Sequence, residues 1–353
     1  MRGVFFSTGT HIPSSRYRVS QFLDHFERRG VQWSHHVGYG PEYNEVVKTR
    51  WGAPYKLMCR SRRALLEVLA SDSGADFLFF QRKAFRELSL PEELASRRNG
   101  RVIFDFDDSI FLGPDGGVHP MRQRAFDKMC EFSAHIICGN SWLAERAGAP
   151  HKTTVIPTVV DTDLWDPGPA RERFSDEVTI GWMGTASSFA LVRSFIPALE
   201  DVLAAHPNAR LHLVSNARAS EFEGHPQVVQ TRWSAETEVD LLRSFDIGLM
   251  PLEDTLLTRG KCGFKMILYM AVGCPVIASA VGANVEILQG SGAGLLVEDA
   301  SGWADALGQL IASEADRQRM GEAARAHAVA NYSVSSVVDA YMEVFERVAG
   351  RPR

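Results

Sequence analysis

The sequence predicts an α/β protein that contains two doubly wound parallel sheets. Short apolar runs alternate with helical patterns, which is typical of strands that are covered on both faces of a sheet. This alternation stops in a segment with three prolines, residues 157–169, and then begins again. A chain of 353 residues is long enough for two domains. Because doubly wound sheets bind ligands at the carboxyl ends of their strands, two such domains that face each other would form a central cleft.

The first half of the chain predicts a sheet that begins close to the N-terminus. Val4–Phe6 is expected to be the first strand, and a helix with apolar residues on one face is expected over residues 19–29. Gly30 is expected to end that helix. The later strands of this half are predicted at residues 77–80, 102–104 and 135–138.

The second half repeats this pattern, with strands predicted at residues 178–182, 210–214, 247–250, 276–278 and 294–297. An amphipathic helix is expected around residues 189–205, with Leu191 and Val192 on its buried face, but Pro197 lies inside the pattern. Either the helix bends there, or it begins near Ile196 after a separate turn. The C-terminal residues carry two apolar stripes with helical spacing, at 303–311 and 337–345.

Composition and charge argue against several classes of protein. Hydrophobic residues make up 45% of the chain and charged residues 23%, as in ordinary globular enzymes. The net charge of −5 argues against a nucleic-acid partner. No apolar run approaches the roughly 20 residues of a membrane span, and the first residues are interpreted as a core strand rather than a secretory leader. The five cysteines include no C-x-x-C pair, so we expect neither disulfides nor structural zinc, and a cytoplasmic location.

Three motifs resemble those of a known family. Residues 157–165 are similar to the interdomain segment of GT-B glycosyltransferases, particularly of retaining family 4, also called group 1. Residues 265–279, K-M-I-L-Y-M-A-V-G-C-P-V-I-A-S, are similar to that family's most recognisable block, K-L-x-E-Y-M-A-x-G-x-P-V-I-A-S. Gly282, Asn284 and Glu286 then resemble its G-G-x-x-E turn. The resemblance covers almost all of residues 155–345, whereas the N-terminal half agrees in layout only.

The resemblance implies a GT-B fold with two Rossmann-like domains and a division of labour between them. Residues 1–168 would bind the acceptor, and residues 169–335 would bind the nucleotide sugar. Residues 336–353 would form a final helix, which in one arrangement packs on the N-terminal domain. The implied reaction moves a sugar from a UDP-, GDP- or dTDP-sugar to an acceptor hydroxyl with retention, and it needs no metal and no cofactor. The alternative is a catalytically weak paralogue that binds a nucleotide sugar or a partner transferase without turnover.

Without a metal, the diphosphate must be held by positive side chains and by oriented N–H donors. The turn after the 178–182 strand, with Gly184 and Thr185 followed by Ser187 and Ser188, is one candidate, although a strand-to-helix turn that binds nothing would look the same. The second candidate lies at the start of a helix predicted over residues 262–272. Its cations are Arg259, Lys261 and Lys265, and the alternative is that they are solvated surface residues.

The chain departs from the family's pattern in its donor site. The family's two glutamates, which surround the donor sugar and the ribose, fall at Gly260 and Leu268, so both carboxylates are missing. Glu286 or Glu253 takes their place, or the backbone holds the ribose. The resemblance also implies that the base lies beside the loop after the fourth strand of the second domain. Here that loop is residues 231–234, with Arg232 and Trp233, and a tryptophan in the core is the alternative.

In the first domain, the 102–104 strand continues into Asp105-Phe106-Asp107-Asp108. We interpret Asp107 and Asp108 as ligands of the acceptor or the donor sugar, one of which would take the proton of the acceptor hydroxyl. The alternative is a cluster that forms salt bridges with Arg82 or Arg101. The first loop is expected to point into the cleft, where Arg16 or Arg18 would reach a phosphate or an anionic acceptor, with His11 as a loop residue beside it.

Residues 48–69 combine basic and apolar side chains. Six lysines and arginines occur at 48–63 without an acid among them, and leucines and a methionine line one side of the predicted helix. A basic amphipathic helix can lie on an anionic membrane, so peripheral membrane contact is one interpretation. An ordinary solvated helix face and a patch for an anionic acceptor are the alternatives.

Overall fold

The computed structural model describes residues 1–10, 12–168, 176–189 and 193–350. Contacts divide the chain into two units. The first unit comprises Met1–Val159, Gly260–Cys262 and the chain from Val334. The second comprises Val160–Arg259 and Gly263–Ser333. The first division thus falls at Val160 rather than at the predicted residue 169.

Within the described residues, the first unit contains a six-stranded parallel sheet in the order β2-β1-β3-β4-β5-β6. Its strands are β1 Arg2–Gly9, β2 Gln32–Tyr39, β3 Phe77–Gln81, β4 Val102–Phe106, β5 His135–Cys138 and β6 Thr153–Val155. Its helices are α1 Pro13–Arg18, α2 Leu23–Arg28, α3 Tyr43–Val46, α4 Gly52–Ala70, α5 Leu90–Asn99, α6 Pro120–Phe132 and α7 Ser141–Ala147. The strand order reverses between β1 and β3, where a doubly wound sheet opens a crevice at its carboxyl edge.

The second unit contains a six-stranded parallel sheet in the order β12-β11-β10-β7-β8-β9 among its described residues. Its strands are β7 Val178–Gly184, β8 Ala209–Ser215, β9 Val228–Arg232, β10 Ile247–Met250, β11 Val276–Ser279 and β12 Gly294–Val297. Its helices are α8 Ala186–Phe189, α9 Ile196–Ala205, α10 Glu238–Arg243, α11 Leu256–Arg259, α12 Phe264–Ala271, α13 Ala283–Leu288, α14 Ala300–Ala312 and α15 Glu314–Asn331. This is the strand order of dinucleotide-binding sheets, and it reverses between β7 and β10.

The last helix, α16, covers Val334–Ala349 and packs in the first unit. Its predicted apolar stripe is buried, and the Phe345 ring stacks on Phe77 at 4.5 Å between centroids. The Tyr341 ring lies 4.9 Å from the ring of Phe22, between centroids, and is tilted against it. Because these aromatic rings come from distant parts of the chain, α16 closes one face of the first sheet with side chains that the sheet's own helices do not supply.

The proline-rich segment that follows Val160 is anchored in the second unit. Trp165 is buried there, and Arg325 of α15 donates to the carbonyl oxygens of Thr162 and Trp165 at 3.0 and 2.9 Å. Arg243 of α10 forms an ion pair with Asp166. These bonds explain why residues 160–168 cluster with the second unit, although their sequence resembles a free linker.

All of the strands predicted from apolar runs are present, but the sequence missed β2, β6 and β9. Each of these lies at an edge of its sheet and is only partly buried, so polar residues interrupt the apolar run that would signal a buried strand. The helix expected from residue 19 begins with a short 3₁₀ turn, and α2 starts at Leu23. Pro197 lies in the first turn of α9, which starts at Ile196 after a separate turn, as one of the two alternatives predicted. Leu191 and Val192 lie outside the described residues.

Two carboxyl groups are buried together between α4 and α5. Glu67 accepts a bond from Arg63 Nε at 2.7 Å, and Glu92 accepts one from the backbone N–H of Ala84, also at 2.7 Å. The second oxygen of each glutamate has no hydrogen-bond partner. Burial, followed by the charge of Glu92, raises the pKa of Glu67 to about 8, and burial also raises the pKa of Glu92. Lys83 is the other cation that acts on this pair.

We expect the free energy of unfolding to fall as pH rises from about 5 to about 8. The folded protein holds a proton on Glu67 that the unfolded chain, with an ordinary pKa of 4.5, has already released, so deprotonation favours unfolding. Glu92→Gln keeps an oxygen for Ala84 and places an N–H donor near Glu67, so the fall should become smaller. Urea unfolding at pH 5 to 8.5 measures the difference. Glu93→Gln, one residue away and partly exposed, is the matched control, and equal slopes for Glu92→Gln and wild type would contradict the expectation.

Candidate functional site

The carboxyl end of β7 lies at the point where the strand order of the second sheet reverses. Gly184 ends β7, and β7 pairs with β10 on one side and β8 on the other. The turn that follows contains Thr185, whose hydroxyl lies 3.0 Å from that of Ser188. The side chain of Ser187 lies outside the described residues. The predicted Gly184–Thr185 turn is therefore located where such sheets bind their ligands.

Gly184 is required by the close approach of two side chains. A Cβ atom at this position would lie 2.5 Å from carbons of the Trp182 ring and 3.2 Å from Cε of Lys265. Lys265, in the first turn of α12, holds its ammonium group 5.3 Å from the centre of the Trp182 ring. The buried indole and the missing side chain thus fix the lysine next to the end of β7. A cation in this position is suited to a phosphate group at the same turn.

Arg259 is already neutralised by a neighbour in the second unit. Its guanidinium forms a two-pronged ion pair with Asp254, at 2.6 and 2.7 Å. The bonds from Arg259 hold the pKa of Asp254 below its usual range. Because this pair is about half exposed, it contributes little stability, and a phosphate could exchange with the carboxylate.

Asn284 and Glu286 differ in their surroundings. Asn284 is buried, and its amide nitrogen donates to the carbonyl oxygen of Ser279 at 3.0 Å, at the carboxyl end of β11. Glu286, two residues further along α13, is exposed. Burial raises the pKa of Tyr332 to about 12, and the charge of Glu286 contributes to the same shift. The structure therefore gives Asn284 a role in holding a strand end, while the carboxylate of Glu286 is open to solvent.

The predicted base-binding loop requires a correction. Residue Arg232 belongs to β9, which is the third strand of this sheet in chain order and lies at its edge. Trp233 follows that strand, and its N–H donates to the carbonyl oxygen of Ser215 at 3.0 Å. Trp233 is half-buried rather than a core residue. An edge strand with polar residues shows no continuous apolar run, which is why the sequence assigned these residues to a loop.

The two positions where the family carries glutamates cannot accept them without rearrangement. A Cβ atom on Gly260 would lie 1.8 Å from the hydroxyl oxygen of Ser109, in the first unit. Leu268 is buried in α12, and a carboxylate in its place would lose its hydration without a partner. The surroundings of positions 260 and 268 therefore fit the glycine and the leucine that this chain carries there.

Asp105 and Arg18 form an ion pair at the end of β4 in the first unit. Both side chains are fully buried, and Arg18 also donates to the carbonyl oxygen of Ile156 at 2.6 Å. Burial raises the pKa of Asp105 to about 6, although the charge of Arg18 opposes the shift. Arg18 was predicted to reach a phosphate or an anionic acceptor. The structure corrects this, because its guanidinium is enclosed and already paired.

Asp107 and Asp108 lie at the carboxyl end of β4 with cations beside them. Arg82 donates to Asp107 at 2.7 Å and approaches Asp108 at 3.8 Å, and Lys261 lies 3.1 Å from Asp108. Burial opposes ionisation of Asp107, but Arg82 and then Arg18 outweigh it and lower its pKa. The salt-bridge alternative involving Arg82 is thus present in the structure. Both carboxylates keep an accessible fraction, 12% for Asp107 and 30% for Asp108.

Arg82, which the sequence offered only as a salt-bridge partner of the aspartates, also has an unusual backbone conformation. It follows β3, and among the described residues it is the one non-glycine residue with a positive φ, 58°. Such a conformation costs about 1–3 kcal/mol and persists where the surroundings impose it. Here the backbone N–H of Arg82 donates to the Asp105 carbonyl oxygen, and Arg63 donates to the Arg82 carbonyl oxygen. A basic residue directly after a buried strand was the available signal.

The remaining predicted acceptor residues lie in the loop and helix after β1. Arg16 of α1 is half-buried, and its guanidinium lies 5.1 Å from the ring of Tyr17. His11 lies outside the described residues. Among the residues that the structure describes, no group of three or more histidine, cysteine, aspartate or glutamate side chains is arranged to hold a metal ion.

Comparisons with known proteins give the family and the fold that this chain resembles. Residues 177–313, within the second unit, match the family model "Glycosyl transferases group 1". A D-inositol 3-phosphate glycosyltransferase of Corynebacterium jeikeium is 28% identical over 55% of this chain and 51% of its own length. A protein of the same name from Geodermatophilus obscurus is 27% identical over 59% of this chain and 51% of its own length. The chain spans about half the length of these curated relatives.

Solved structures are similar over nearly the whole chain. A glycosyltransferase from Rickettsia africae has a TM-score of 0.73 at 13% identity and covers 99% of both chains. HepE from Anabaena, solved in complex with UDP and glucose, has a TM-score of 0.67 at 14% identity and covers 98% of this chain and 99% of its own. The predicted GT-B fold class and the predicted resemblance to group 1 glycosyltransferases are confirmed.

Proposed function

We propose that the protein is a glycosyltransferase that moves a sugar from a nucleotide sugar to an acceptor hydroxyl. The observation that carries the proposal is the Gly184–Trp182–Lys265 arrangement at the reversal point of a sheet that lies within the family match. Curated relatives of this chain are named as glycosyltransferases, and a structural neighbour was solved with UDP and glucose. The second unit would hold the donor, which is a UDP-, GDP- or dTDP-sugar.

The diphosphate requires positive charge, because its charge grows on the leaving nucleotide as the sugar departs. Lys265 would supply this charge at the end of β7, and Arg259 would supply more by exchanging its bond to Asp254 for one to phosphate. Glu286 would take a hydroxyl of the donor in place of a missing family glutamate, since its carboxylate is exposed near the ends of the strands. Asn284, Thr185, Arg232 and Trp233 remain proposed donor contacts.

The first unit would hold the acceptor beside Asp107 and Asp108. Asp107 is ionised at neutral pH because Arg82 lowers its pKa, so it would accept a hydrogen bond from the acceptor hydroxyl and orient it. A carboxylate with a lowered pKa is a weak general base, so orientation would be its larger contribution. Arg16 would contact the acceptor from α1, and the product would retain its anomeric configuration, as the family resemblance implies.

We propose that the reaction needs neither a metal ion nor a cofactor. Asp105, Asp107 and Asp108 resemble a D-x-D metal element in sequence, but each carboxylate lies against Arg18, Arg82 or Lys261. These side chains supply the positive charge that a divalent ion would bring to such a cluster. The second candidate function is a paralogue without turnover, which the absence of both family glutamates favours.

Lys265→Ala should raise the donor KM or lower kcat by one to two orders of magnitude. The expected loss is about 1.5–3 kcal/mol for one charge-assisted bond to phosphate. Nucleotide release from a panel of nucleotide sugars, with and without acceptor extracts, measures the effect. Lys265→Met keeps the aliphatic stem against Trp182 but removes the charge, so it should lose as much activity as Lys265→Ala. Arg319→Ala, at an exposed position of α15, should keep the activity of wild type. Activity of Lys265→Ala within twofold of wild type would remove this lysine from the site, and tight donor binding without any turnover would favour the paralogue.

Asp107→Asn and Asp108→Asn should lower turnover and leave nucleotide binding nearly intact. Both carboxylates lie in the first unit, and the proposed phosphate ligand Lys265 lies in the second. Calorimetric binding of free nucleotide diphosphate, beside rate measurements, separates the two effects. Asp339→Asn removes a surface aspartate that pairs with Arg29 and serves as the matched control. Tenfold weaker nucleotide binding by either site variant would contradict the division of labour between the units.

Activity should be largely unchanged in excess EDTA, and added Mn²⁺ should have a small effect. The physical reason is that Arg82, Arg18 and Lys261 already neutralise the aspartates at the end of β4. The check is an initial-rate measurement on protein treated with chelator, with matched additions of Mg²⁺ and Mn²⁺. Complete loss of activity that Mn²⁺ restores would identify the aspartates as metal ligands.

We also propose peripheral contact with an anionic membrane at its cytoplasmic face through residues 48–69. No described helix is both long and apolar enough to cross a bilayer. Helix α4, however, exposes about 60% of each of four large apolar side chains, among basic residues that include Lys56 and Arg62. The four are Leu57, Met58, Leu65 and Leu69. Apolar side chains beside lysines and arginines are the combination that binds such a surface.

Leu65→Ser with Leu69→Ser should weaken binding to phosphatidylglycerol vesicles at least fivefold. Burial of the two leucines in the bilayer interface contributes to binding, and serine removes that contribution. Sedimentation with vesicles of phosphatidylglycerol and of phosphatidylcholine measures it. Val329→Ser, at a partly exposed position of α15, is the control. Equal sedimentation of the double variant and wild type, or no binding of wild type to either vesicle, would sink the membrane proposal.

A further inference from the structure

Arg63 of α4 is a buried arginine that bonds the end of β3. Its Nη2 atom donates to the carbonyl oxygen of Arg82 at 2.6 Å and to that of Gln81 at 3.3 Å. Its Nε atom donates to Glu67, one turn further along α4, at 2.7 Å. Gln81 is the last residue of β3, and carbonyl groups at a buried strand end need donors from outside the strand. Arg63 therefore caps β3, while Glu67 orients its guanidinium.

The chain bends at Arg82, and hydrogen bonds hold this bend from two sides. The Arg82 φ of 58° is a left-handed conformation that a residue with a Cβ atom seldom adopts without support. The backbone N–H of Arg82 donates to the Asp105 carbonyl oxygen of β4 at 2.9 Å. The Arg82 carbonyl oxygen accepts from Arg63, and a bond from a charged donor is stronger than one between neutral groups. Arg63 thus acts on the peptide group that directly follows the strained residue.

The side chain of Arg82 reaches Asp107, the carboxylate proposed to orient the acceptor hydroxyl. Its Nη2 and Nε atoms lie 2.7 and 3.3 Å from the same oxygen of Asp107. Because a side chain starts from its own Cα atom, a change in the Arg82 backbone would move this guanidinium relative to β4. Two arginines therefore connect Glu67 to Asp107 through successive hydrogen bonds.

Stability alone does not explain the ion pair of Arg63 and Glu67. A buried ion pair is often no more stabilising than apolar side chains of the same volume, because both charges lose their hydration. This pair is also incompletely bonded, since the Oε2 atom of Glu67 is buried and has no hydrogen-bond partner among the described residues. Apolar residues in its place would lack the donor that Arg63 provides to the Arg82 carbonyl oxygen.

We propose that Arg63 is a positioning residue for the sugar transfer, because it holds the bend at Arg82 and thereby the guanidinium that binds Asp107. The inference rests on the proposed function and names the group that prepares its acceptor carboxylate. Arg63 is itself buried, so it acts through Arg82 and not on a substrate. Loss of Arg63 changes the state of Asp107 and leaves the binding of the donor intact.

The ionisation of Asp107 reports the position of Arg82 without any substrate. Burial opposes this ionisation, and Arg82 is the strongest of the cations that outweigh burial and lower the pKa of Asp107. The measurement is an NMR titration of protein labelled with ¹³C-aspartate, in which Asp107→Asn assigns the Asp107 signal. Arg63→Met should raise the midpoint by about one pH unit, and Arg82→Met, which removes the guanidinium, by more. An unchanged midpoint in Arg63→Met would overturn the proposal.

The other charged and titratable groups around Asp107 are the same in Arg63→Met and in wild type. They lie at the end of β4, in α1, in α16 and in the segment before α12. They are Asp105, Asp108, Arg18, Tyr341, Lys261 and Cys262. A shift of the midpoint in this variant is therefore a measure of where the Arg82 guanidinium lies.

A paired variant separates positioning from stability. Arg63→Met leaves Glu67 buried without its cation, whereas Arg63→Met with Glu67→Leu removes both charges and should unfold in urea near the wild-type midpoint. The Asp107 shift should persist in the paired variant, because the Arg82 carbonyl oxygen still lacks its donor. Return of Asp107 to its wild-type titration would show a structural role only and would contradict the proposal. Glu93→Leu with Arg97→Met removes an exposed pair of the same spacing on α5 and should titrate as wild type.

Rate measurements connect the position of Arg82 to the reaction. Arg63→Met and the paired variant should lower kcat about tenfold and keep the affinity for nucleotide diphosphate within about twofold of wild type. In an Arg82→Met background, Arg63→Met should have no further effect, since residues that act through one another are not additive. Independent losses in that background, or weaker nucleotide binding with an unchanged kcat, would sink the proposal. An Asp107 shift in a protein whose wild type transfers no sugar would refute the proposed function and leave the hold of Arg63 on Arg82 established.

Discussion

The buried ion pair of Arg18 and Asp105 is the interaction on which the first unit's site depends. It joins α1 to the end of β4, and the bond from Arg18 to the Ile156 carbonyl oxygen adds the segment that follows β6. Asp107 and Asp108 extend directly from this strand end, so their positions follow from the pair. Removal of one partner of such a pair leaves an uncompensated buried charge, at a cost of about 3–5 kcal/mol. The pair therefore stabilises the base of a site whose outer carboxylates remain accessible.

A succession of charges leads outward from this pair. Asp105 is enclosed with Arg18, Asp107 is mostly buried with Arg82, and Asp108 is partly exposed with Lys261. Each carboxylate of the D-F-D-D segment thus has a different degree of hydration and its own cation. Three negative charges within four residues would otherwise repel one another strongly. The strained backbone of Arg82 fits this arrangement, because its side chain serves two of the three carboxylates.

The sequence predicted the buried strands of both sheets and the family resemblance, because apolar runs and a contiguous motif are local signals. It did not predict β2 and β9, whose edge positions leave them half exposed, with polar residues among the apolar ones. It placed Arg18 in a ligand site for a related reason. A loop arginine near a strand end looks the same whether it meets a ligand or a carboxylate 87 residues away in sequence. Gly184 and Lys265, in contrast, were predicted as neighbours of one ligand, and the structure holds them in contact around Trp182.

Lys261 and Lys265 illustrate why local spacing is not sufficient for a site. A helical turn that ran from Lys261 to Lys265 would put these two basic residues, four apart, near one another on the same face. The helix instead begins at Phe264, because Gly263 adopts φ = 60°, a left-handed conformation that ends the preceding segment. Lys261 then lies outside the helix and pairs with Asp108, while Lys265 lies against Trp182. One lysine thus neutralises a carboxylate at the end of β4, and the other packs against a buried indole at the end of β7.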